Sequence, residues 1–421
     1  MSGPSFDIAS GTRQIARTFP VRSDLQPDGT LDGVPYRMKF VPSSLSVTAV
    51  ATAALLSAGG ALAAPELPKS IAVTAYDVGS SGYSQAVAVG AAFKNNYGVT
   101  LRVLPGKNDV SRTVPLREGK VDFSFNGIGT YFAQEGVDVF GTKGWGPQEA
   151  RILLMSMGGN CITQFVAEDV GVKTLAGLKG KGVARVKGSP ALNTNTLAHL
   201  RFAGLTWDDV TPVDVGGNSA AFDAILNNQA DSFLSTTNSG SILKTQNSPR
   251  GVFFPPLPHN DEEGWKRVHE VAPYYTKHVC TESAGNMPAW EGASYPYPVL
   301  MTYPKQSADD AYAITKAMFE QYPNYKDAAP AAAGYALENQ VLKWVVPYHE
   351  GAIRFYKEAG KWGEAEQANQ DELLARQDAL KKIWAEFSKS EPKGDFYDAW
   401  MAARYEGMKA AGLNPIWKEF K

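Results

Sequence analysis

The stretch Ile71-Ala72-Val73-Thr74-Ala75-Tyr76-Asp77-Val78-Gly79-Ser80-Ser81-Gly82-Tyr83-Ser84 decides how the chain is read. Ile71 to Tyr76 is a short apolar run with β-branched residues, which predicts a strand. Gly79 to Gly82 reads as a loop, and Ser84 to Asn95 as a helix that Gly98 closes. A second strand, Val99 to Leu104, leads through Pro105-Gly106 into a helix capped by Asn108 or Asp109 and shortened or kinked by Pro115. Val121 to Phe125 is a third strand. Strand, loop and helix alternate as they do in a parallel α/β layer.

The same order returns downstream. Gly182 to Lys187 predicts a strand, Gly188-Ser189 a loop, and Pro190 to Ala203 a helix ended by Gly204. Thr211 to Val215 is a strand, Gly216-Gly217 a turn, Ser219 to Asn228 a helix capped by Asn218 or Ser219, and Asp231 to Leu234 the closing strand. Two α/β lobes follow. The first is expected over residues 70–163 and 294–362, the second over 164–268, with 269–293 as the return crossing. Tyr297 to Tyr303 reads as a returning strand and Ala308 to Tyr322 as an amphipathic helix. Residues 363–421 read as a helical extension: Glu364 to Ser388, with Leu373, Leu380, Trp384 and Phe387 along a stripe, and Asp395 to Ala411. A hairpin packed on one lobe is the expectation, and a docking surface is the alternative.

Upstream, Lys39 precedes an uncharged Val-, Ala- and Leu-rich stretch closing on Ala61-Leu62-Ala63, the pattern of a cleaved signal peptide over residues 38–63. Translation is expected to begin at Met38, with residues 1–37 as upstream sequence read in frame. The run is broken by Pro42, several serines and Gly59-Gly60, which argues against a membrane anchor. A periplasmic protein without direct membrane insertion is expected, in an oxidising compartment. Cys161 and Cys280, the two cysteines of the chain, are either two buried thiols or a disulfide.

A formal net charge of −2 gives no field to attract nucleic acid. The search for catalytic signatures is negative, and no enzyme, cofactor or metal site is expected. No His-Glu-x-x-His occurs, and His199, His259, His269, His278 and His349 are scattered, His199 reading as a packed side chain. Tyr83 stands where a nucleophile elbow needs its second glycine. Ser241-Ile242-Leu243-Lys244 fits Ser-x-x-Lys without an accompanying Lys-Thr-Gly, a coincidence of two fixed positions.

What remains is a set of loops suited to binding. Ligands of open α/β sheets lie beyond the carboxyl ends of the strands, beside helix N-termini that favour an anion. Gly79, Ser80, Ser81, Gly82 and Tyr83 form one such loop. Asn108 opens a second, and Gly188, Ser189 and Asn193 form a third. Asn126 and the hydroxyls of Ser235, Thr236 and Thr237 follow strands of the two lobes and add neutral donors. Tyr76, Tyr131 and Trp290 are candidate walls. Arg112, one turn into a helix, and Lys187, at a strand end, are the cations placed to pair with a carboxylate.

With these residues on the page the chain resembles the TAXI-type solute receptors of tripartite ATP-independent periplasmic (TRAP) transporters, over roughly Lys69 to Trp362. The resemblance rests on the first strand with its Gly/Ser loop and Tyr83, on Gly119-Lys120-Val121-Asp122-Phe123, on Thr174-Leu175-Ala176-Gly177-Leu178-Lys179-Gly180-Lys181-Gly182-Val183, and on Phe202 to Val210. It implies a two-lobed periplasmic binding protein of the Venus-flytrap, type II-like class, here with a C-terminal helical extension. It also implies a glutamate-like, 2-oxoacid or dicarboxylate ligand and TRAP membrane subunits as partners. An ABC-linked receptor of similar fold and a periplasmic enzyme on this fold are the alternatives. The first loop departs from the family pattern at Asp77, which would repel a carboxylate if it faced the cleft. Ala284-Gly285-Asn286-Met287-Pro288 departs as well. The leader reading is checked by exporting the full chain and measuring the mature mass, which should correspond to a start at Ala64.

Overall fold

The computed structural model describes residues 66–285, 287–390 and 392–420. The expected leader and the upstream residues lie outside these, as does Asn286. The first lobe begins with β1 (Ser70–Ala75), α1 (Ser81–Tyr97), β2 (Thr100–Pro105), α2 (Asp109–Arg117) and β3 (Phe123–Asn126). Gly98 ends α1 at φ 70°, and Asn108 caps α2 by accepting from the Ser111 N–H. Pro115 sits in the last turn of α2, which ends two residues later. Then come α3 (Gly129–Glu135) and β4 (Arg151–Met155).

The second lobe holds β5 (Ile162–Val166), β6 (Gly182–Val186), α4 (Pro190–Phe202), β7 (Thr211–Val215), α5 (Asn218–Leu226), β8 (Ser232–Thr236), α6 (Gly240–Gln246) and α7 (Glu262–Val271). An antiparallel pair, β9 (Thr276–Cys280) and β10 (Trp290–Ser294), precedes the return of the chain. Back in the first lobe lie β11 (Val299–Thr302), α8 (Ala308–Glu320), the short α9 (Tyr322–Tyr325) and α10 (Glu350–Glu358). The extension is α11 (Glu364–Phe387) and α12 (Phe396–Ala410).

Strand order makes the repetition concrete. The first sheet runs β2-β1-β3-β11-β4 and the second β7-β6-β8-β5. In each, three parallel strands are followed by one antiparallel neighbour, β11 against β3 and β5 against β8. This is the α/β two-lobed periplasmic-binding-protein fold, with the C-terminal helices added. Each parallel unit points its strand ends, and the loops that follow them, toward the other lobe.

Cys161 and Cys280 form a disulfide with Cα atoms 5.3 Å apart, which ties the start of β5 to the end of β9. Of the two sequence-level possibilities, the structure takes the bonded one.

The extension packs on the first lobe, but not by the expected stripe alone. Leu380 is fully buried and Trp384 meets Trp400 at 4.7 Å, whereas Leu373 is only half-buried. Much of the buried face of α11 is polar: Gln370, Arg376 and Gln377. Gln377 Nε2 donates to Gln134 Oε1 at 2.8 Å and to the Ala150 carbonyl at 3.1 Å, and Gln370 holds Tyr348 through both its N–H and its carbonyl. Glu135, fully buried at the end of α3, pairs with Arg376 at 2.6 Å and with Arg404. Those two arginines also donate to the carbonyls of Asn414 and Pro415, fixing the tail. The tail then lays Trp417 over Tyr131 of the first lobe and also reaches the second, its indole N–H donating to the Val271 carbonyl at the end of α7 at 3.0 Å.

Burial alone would raise the Glu135 pKa, but the guanidiniums of Arg404 and Arg376 outweigh it and hold the carboxyl below its usual range. Its contribution to stability is therefore present above the unfolded-state carboxyl pKa and is lost as pH falls through the lowered one. Glu135→Ala leaves two guanidiniums facing each other and should cost about 3–5 kcal/mol in chemical denaturation at pH 7. The difference from the native protein should shrink in strong acid.

Candidate functional site

The loops after β1, β2 and β3 face those after β6, β7 and β8, and the two sets are hydrogen-bonded to one another. Asp109, at the first position of α2, is fully buried. One oxygen pairs with Arg112 on the next turn of the same helix. The other accepts from the Ser189 hydroxyl at 3.1 Å and the Ala191 N–H at 2.8 Å. A carboxylate of the first lobe thus caps α4 of the second, whose own Ser189 makes no side-chain cap.

Asp77 does the same for α5. Its Oδ2 accepts from the Ser219 N–H at 3.0 Å and the Ser219 hydroxyl at 2.7 Å. The residue whose negative charge stood against a carboxylate ligand is engaged by the facing lobe. This also explains why neither Asn218 nor Ser219 caps α5 from within: Gly217 is its N-terminal boundary, without a side-chain cap.

Backbone contacts complete the seam. The Ser241 N–H donates to the Gly79 carbonyl at 3.1 Å, the Asn218 N–H to the Lys107 carbonyl at 3.2 Å, and the Val110 N–H to the Gly188 carbonyl at 3.3 Å. Asn108 Nδ2 reaches the Lys187 carbonyl at 3.0 Å, and the Ser81 and Thr236 hydroxyls meet at 3.0 Å. Close approach needs glycine here. A Cβ on Gly79, which sits at φ 89°, would lie 2.7 Å from Ser241 Oγ, and one on Gly217 would lie 2.9 Å from Lys107 Cβ. Gly79, Gly188 and Gly217 serve lobe contact, whereas Gly106 makes room for Arg112 of its own lobe.

Behind the seam lies a cavity of about 50 Å³. Of the residues expected at a site, the structure brings Tyr76, Ser80, Arg112, Ser235 and Thr236 to its wall. The Arg112 guanidinium lies 3.9 Å from the centre of the Tyr76 ring, and its Nε donates to Asn126 Oδ1 at 3.4 Å. Asn126 therefore stands behind the arginine and orients it. Gly79, Ser81, Asn108, Gly188 and Ser189 belong to the seam, and Gly82 packs against Tyr76 and Tyr297.

The remaining candidates lie elsewhere. Tyr131 is buried beside Tyr274 and Trp417, and Trp290 stacks on Phe254. Asn193 staples α4 to both polar groups of Val186, and Thr237 bonds Cys161 and Glu282. The Tyr83 N–H takes the Ser80 cap, and the Lys187 side chain is exposed. Ser241 of the Ser-x-x-Lys coincidence donates to the Gly79 carbonyl at 3.3 Å, with Lys244 exposed. His199 is bonded to Thr163 and Asn195, and burial pushes its pKa down to about 4, so it is neutral at pH 7.

Sequence reasoning missed Lys107, Asp109 as a bridge, Asn218 as a lining residue, Tyr295 and Tyr297. Two signals were there to be read. Asp109 and Arg112 stand at helical i,i+3 spacing, and Tyr295-Pro296-Tyr297 alternates at the period that turns both rings to one side. Burial raises the pKa of Tyr76, Tyr295 and Tyr297, so all three are neutral phenols at the site.

Two lobes of this order thus meet around a polar, aromatic-walled cavity. The chain belongs to the NMT1-like family, which matches residues 74–360 and ends where the helical extension begins. In fold it is similar to the alkanesulfonate-binding protein SsuA from Xanthomonas axonopodis pv. citri (15% identity, 84% of this chain and 96% of that one, TM-score 0.43). It is also similar to the periplasmic aliphatic sulphonate binding protein SsuA from Escherichia coli (16%, 78% and 91%, 0.40). A third likeness is to an ABC transporter periplasmic binding protein from Brucella ovis with glutathione bound (12%, 83% and 82%, 0.38). No described helix is long and apolar enough to cross a membrane.

Removing the bridge should open the lobes. Asp109→Ala leaves Arg112 buried without its partner and α4 without its cap, at a cost to the closed form of about 3–5 kcal/mol. Small-angle scattering should report a larger radius of gyration than for the native protein.

Proposed function

We propose that this protein is an exported receptor of the TAXI type, capturing a small organic anion between its lobes for a TRAP-type secondary transporter. The observation that carries the anion is Arg112. It is buried at the cavity wall and held by Tyr76, Asn126 and Asp109, and its Nη1 group has no hydrogen-bond partner among the described residues. Lys107 and Arg112 against Asp109 leave the lining one positive charge in excess. Preformed ligand pockets commonly measure ~300–1,000 Å³, so a cavity of about 50 Å³ favours the compact end of the carboxylate class. A glutamate-like or longer dicarboxylate ligand has to hold the lobes farther apart.

Binding and closure are the same event in this reading. The ligand's carboxylate meets Arg112 from the first lobe while Ser235 and Thr236 approach from the second, and the seam of lobe-to-lobe hydrogen bonds forms around it. A closed surface made of both lobes is then what the membrane partner can distinguish from an open one. The positive lining and the uncommitted guanidinium edge support an anion. The TRAP partner is supported by the sequence resemblance.

The reading is tested by thermal shift against a panel of mono- and dicarboxylates beside neutral and cationic solutes. A carboxylate at a hundredfold excess over its dissociation constant should stabilise the fold by about 2.7 kcal/mol. Arg112→Lys, which keeps the charge and loses the planar fork, should weaken that binding by roughly 10-fold or more while the fold survives. A shift by neutral or cationic solutes alone, or accumulation of a converted product, would contradict it. A requirement for an ATPase in the uptake system would assign the receptor to an ABC transporter instead.

A further inference from the structure

We infer that Asn218 determines the specificity of the cleft by donating a hydrogen bond to a second oxygen of the ligand, beyond its carboxylate. The inference rests on the anion-receptor reading and deepens it. Asn218 is the first residue of α5 and lines the cavity from the second lobe, opposite Arg112 and Tyr76 of the first. Its backbone N–H is committed to the Lys107 carbonyl, which pins the residue in the seam. Its side-chain Nδ2 is buried and has no partner.

Buried amide donors are nearly always satisfied, and one left without a partner opposes closure. The neighbouring side-chain donors at the N-termini of α4 and α5 are otherwise occupied. The Ser219 N–H and hydroxyl are taken by Asp77, and the Ser189 hydroxyl by Asp109. Asn218 is thus left to supply an uncommitted amide from α5, facing a cavity whose opposite wall carries the guanidinium. An acid with one more acceptor oxygen satisfies both walls at once and bridges the lobes. A plain alkanoate satisfies Arg112 only and leaves the amide stranded. The class of ligand this selects is a short monocarboxylate carrying a hydroxyl or carbonyl oxygen.

The test uses matched three-carbon probes, propionate against lactate and pyruvate, titrated calorimetrically into the full mature protein and its Asn218→Ala variant. The native protein should bind the better of the two oxygenated acids roughly 5- to 150-fold more tightly than propionate, the range expected for one buried hydrogen bond. In Asn218→Ala that preference should fall to within about twofold, because the oxygenated acids lose their donor and propionate no longer strands a buried amide, and the melting curve confirms that the variant folds. Should the alanine variant not fold, Asn218→Asp keeps the size and replaces the donor with an acceptor, and the same ratio is read. Equal binding of all three acids by the native protein, or equal loss of all three in the variant, overturns the role of Asn218 alone. Binding of none of the three overturns the carboxylate reading together with it.

Discussion

Asp109 is the constraint on which the arrangement of the lobes depends. A carboxylate with no exposure to water is tolerable only when both of its oxygens are satisfied. One is held by Arg112 within the first lobe, the other by the N-terminus of α4 in the second. The same carboxylate that orients the cavity's arginine therefore also joins the two lobes. Asp77 repeats the arrangement at α5, so the helices after β6 and β7 of the second lobe receive their caps from the first, while α6, after β8, is capped by its own Ser239. Of the helix N-termini that read, from sequence alone, as places for a ligand anion, that of α4 is occupied by a carboxylate of the protein itself, and those of α1 and α2 are capped by Ser80 and Asn108. The ligand is left with what surrounds them: a guanidinium edge, phenols, hydroxyls and one amide.

The fold was legible because its signals are local. Ile71 to Tyr76 and Gly182 to Lys187 are apolar runs of strand length followed by glycine, and Gly98 and Gly204 close helices at predictable distances. The antiparallel fourth strand of each sheet was harder to see. β11 was expected as a returning strand, but β4 and β5 were not predicted as strands, because Arg151 to Met155 and Ile162 to Val166 lie outside the repeated strand, glycine loop and helix. The extension was foreseen as a packed hairpin. Its polar buried face was not, since the partners of Arg376 and Gln377 are Glu135 and Gln134 of a distant helix and that of Gln370 is Tyr348.

The candidate site was half legible for the same reason. Tyr76, Ser80, Arg112, Ser235 and Thr236 stand at strand ends, and topology alone brings them to the cavity. Asn218 acquires its role from contacts between lobes, and Asp109 and the two tyrosines of the return segment carry a local spacing that does not say what they meet across the cleft. Tyr131 failed as a wall because the C-terminal tail, outside the family's extent, covers it with Trp417. The extension thus changes the surroundings of Tyr131, and none of its residues lines the cavity.

The most direct measurement is native mass spectrometry of the protein purified from a cell that exports it, followed by identification of whatever small molecule leaves on unfolding. The account predicts a compact organic acid in one-to-one ratio, recovered chemically unchanged after prolonged incubation with the protein. A neutral or cationic solute in its place, or an acid that is converted with time, would contradict it.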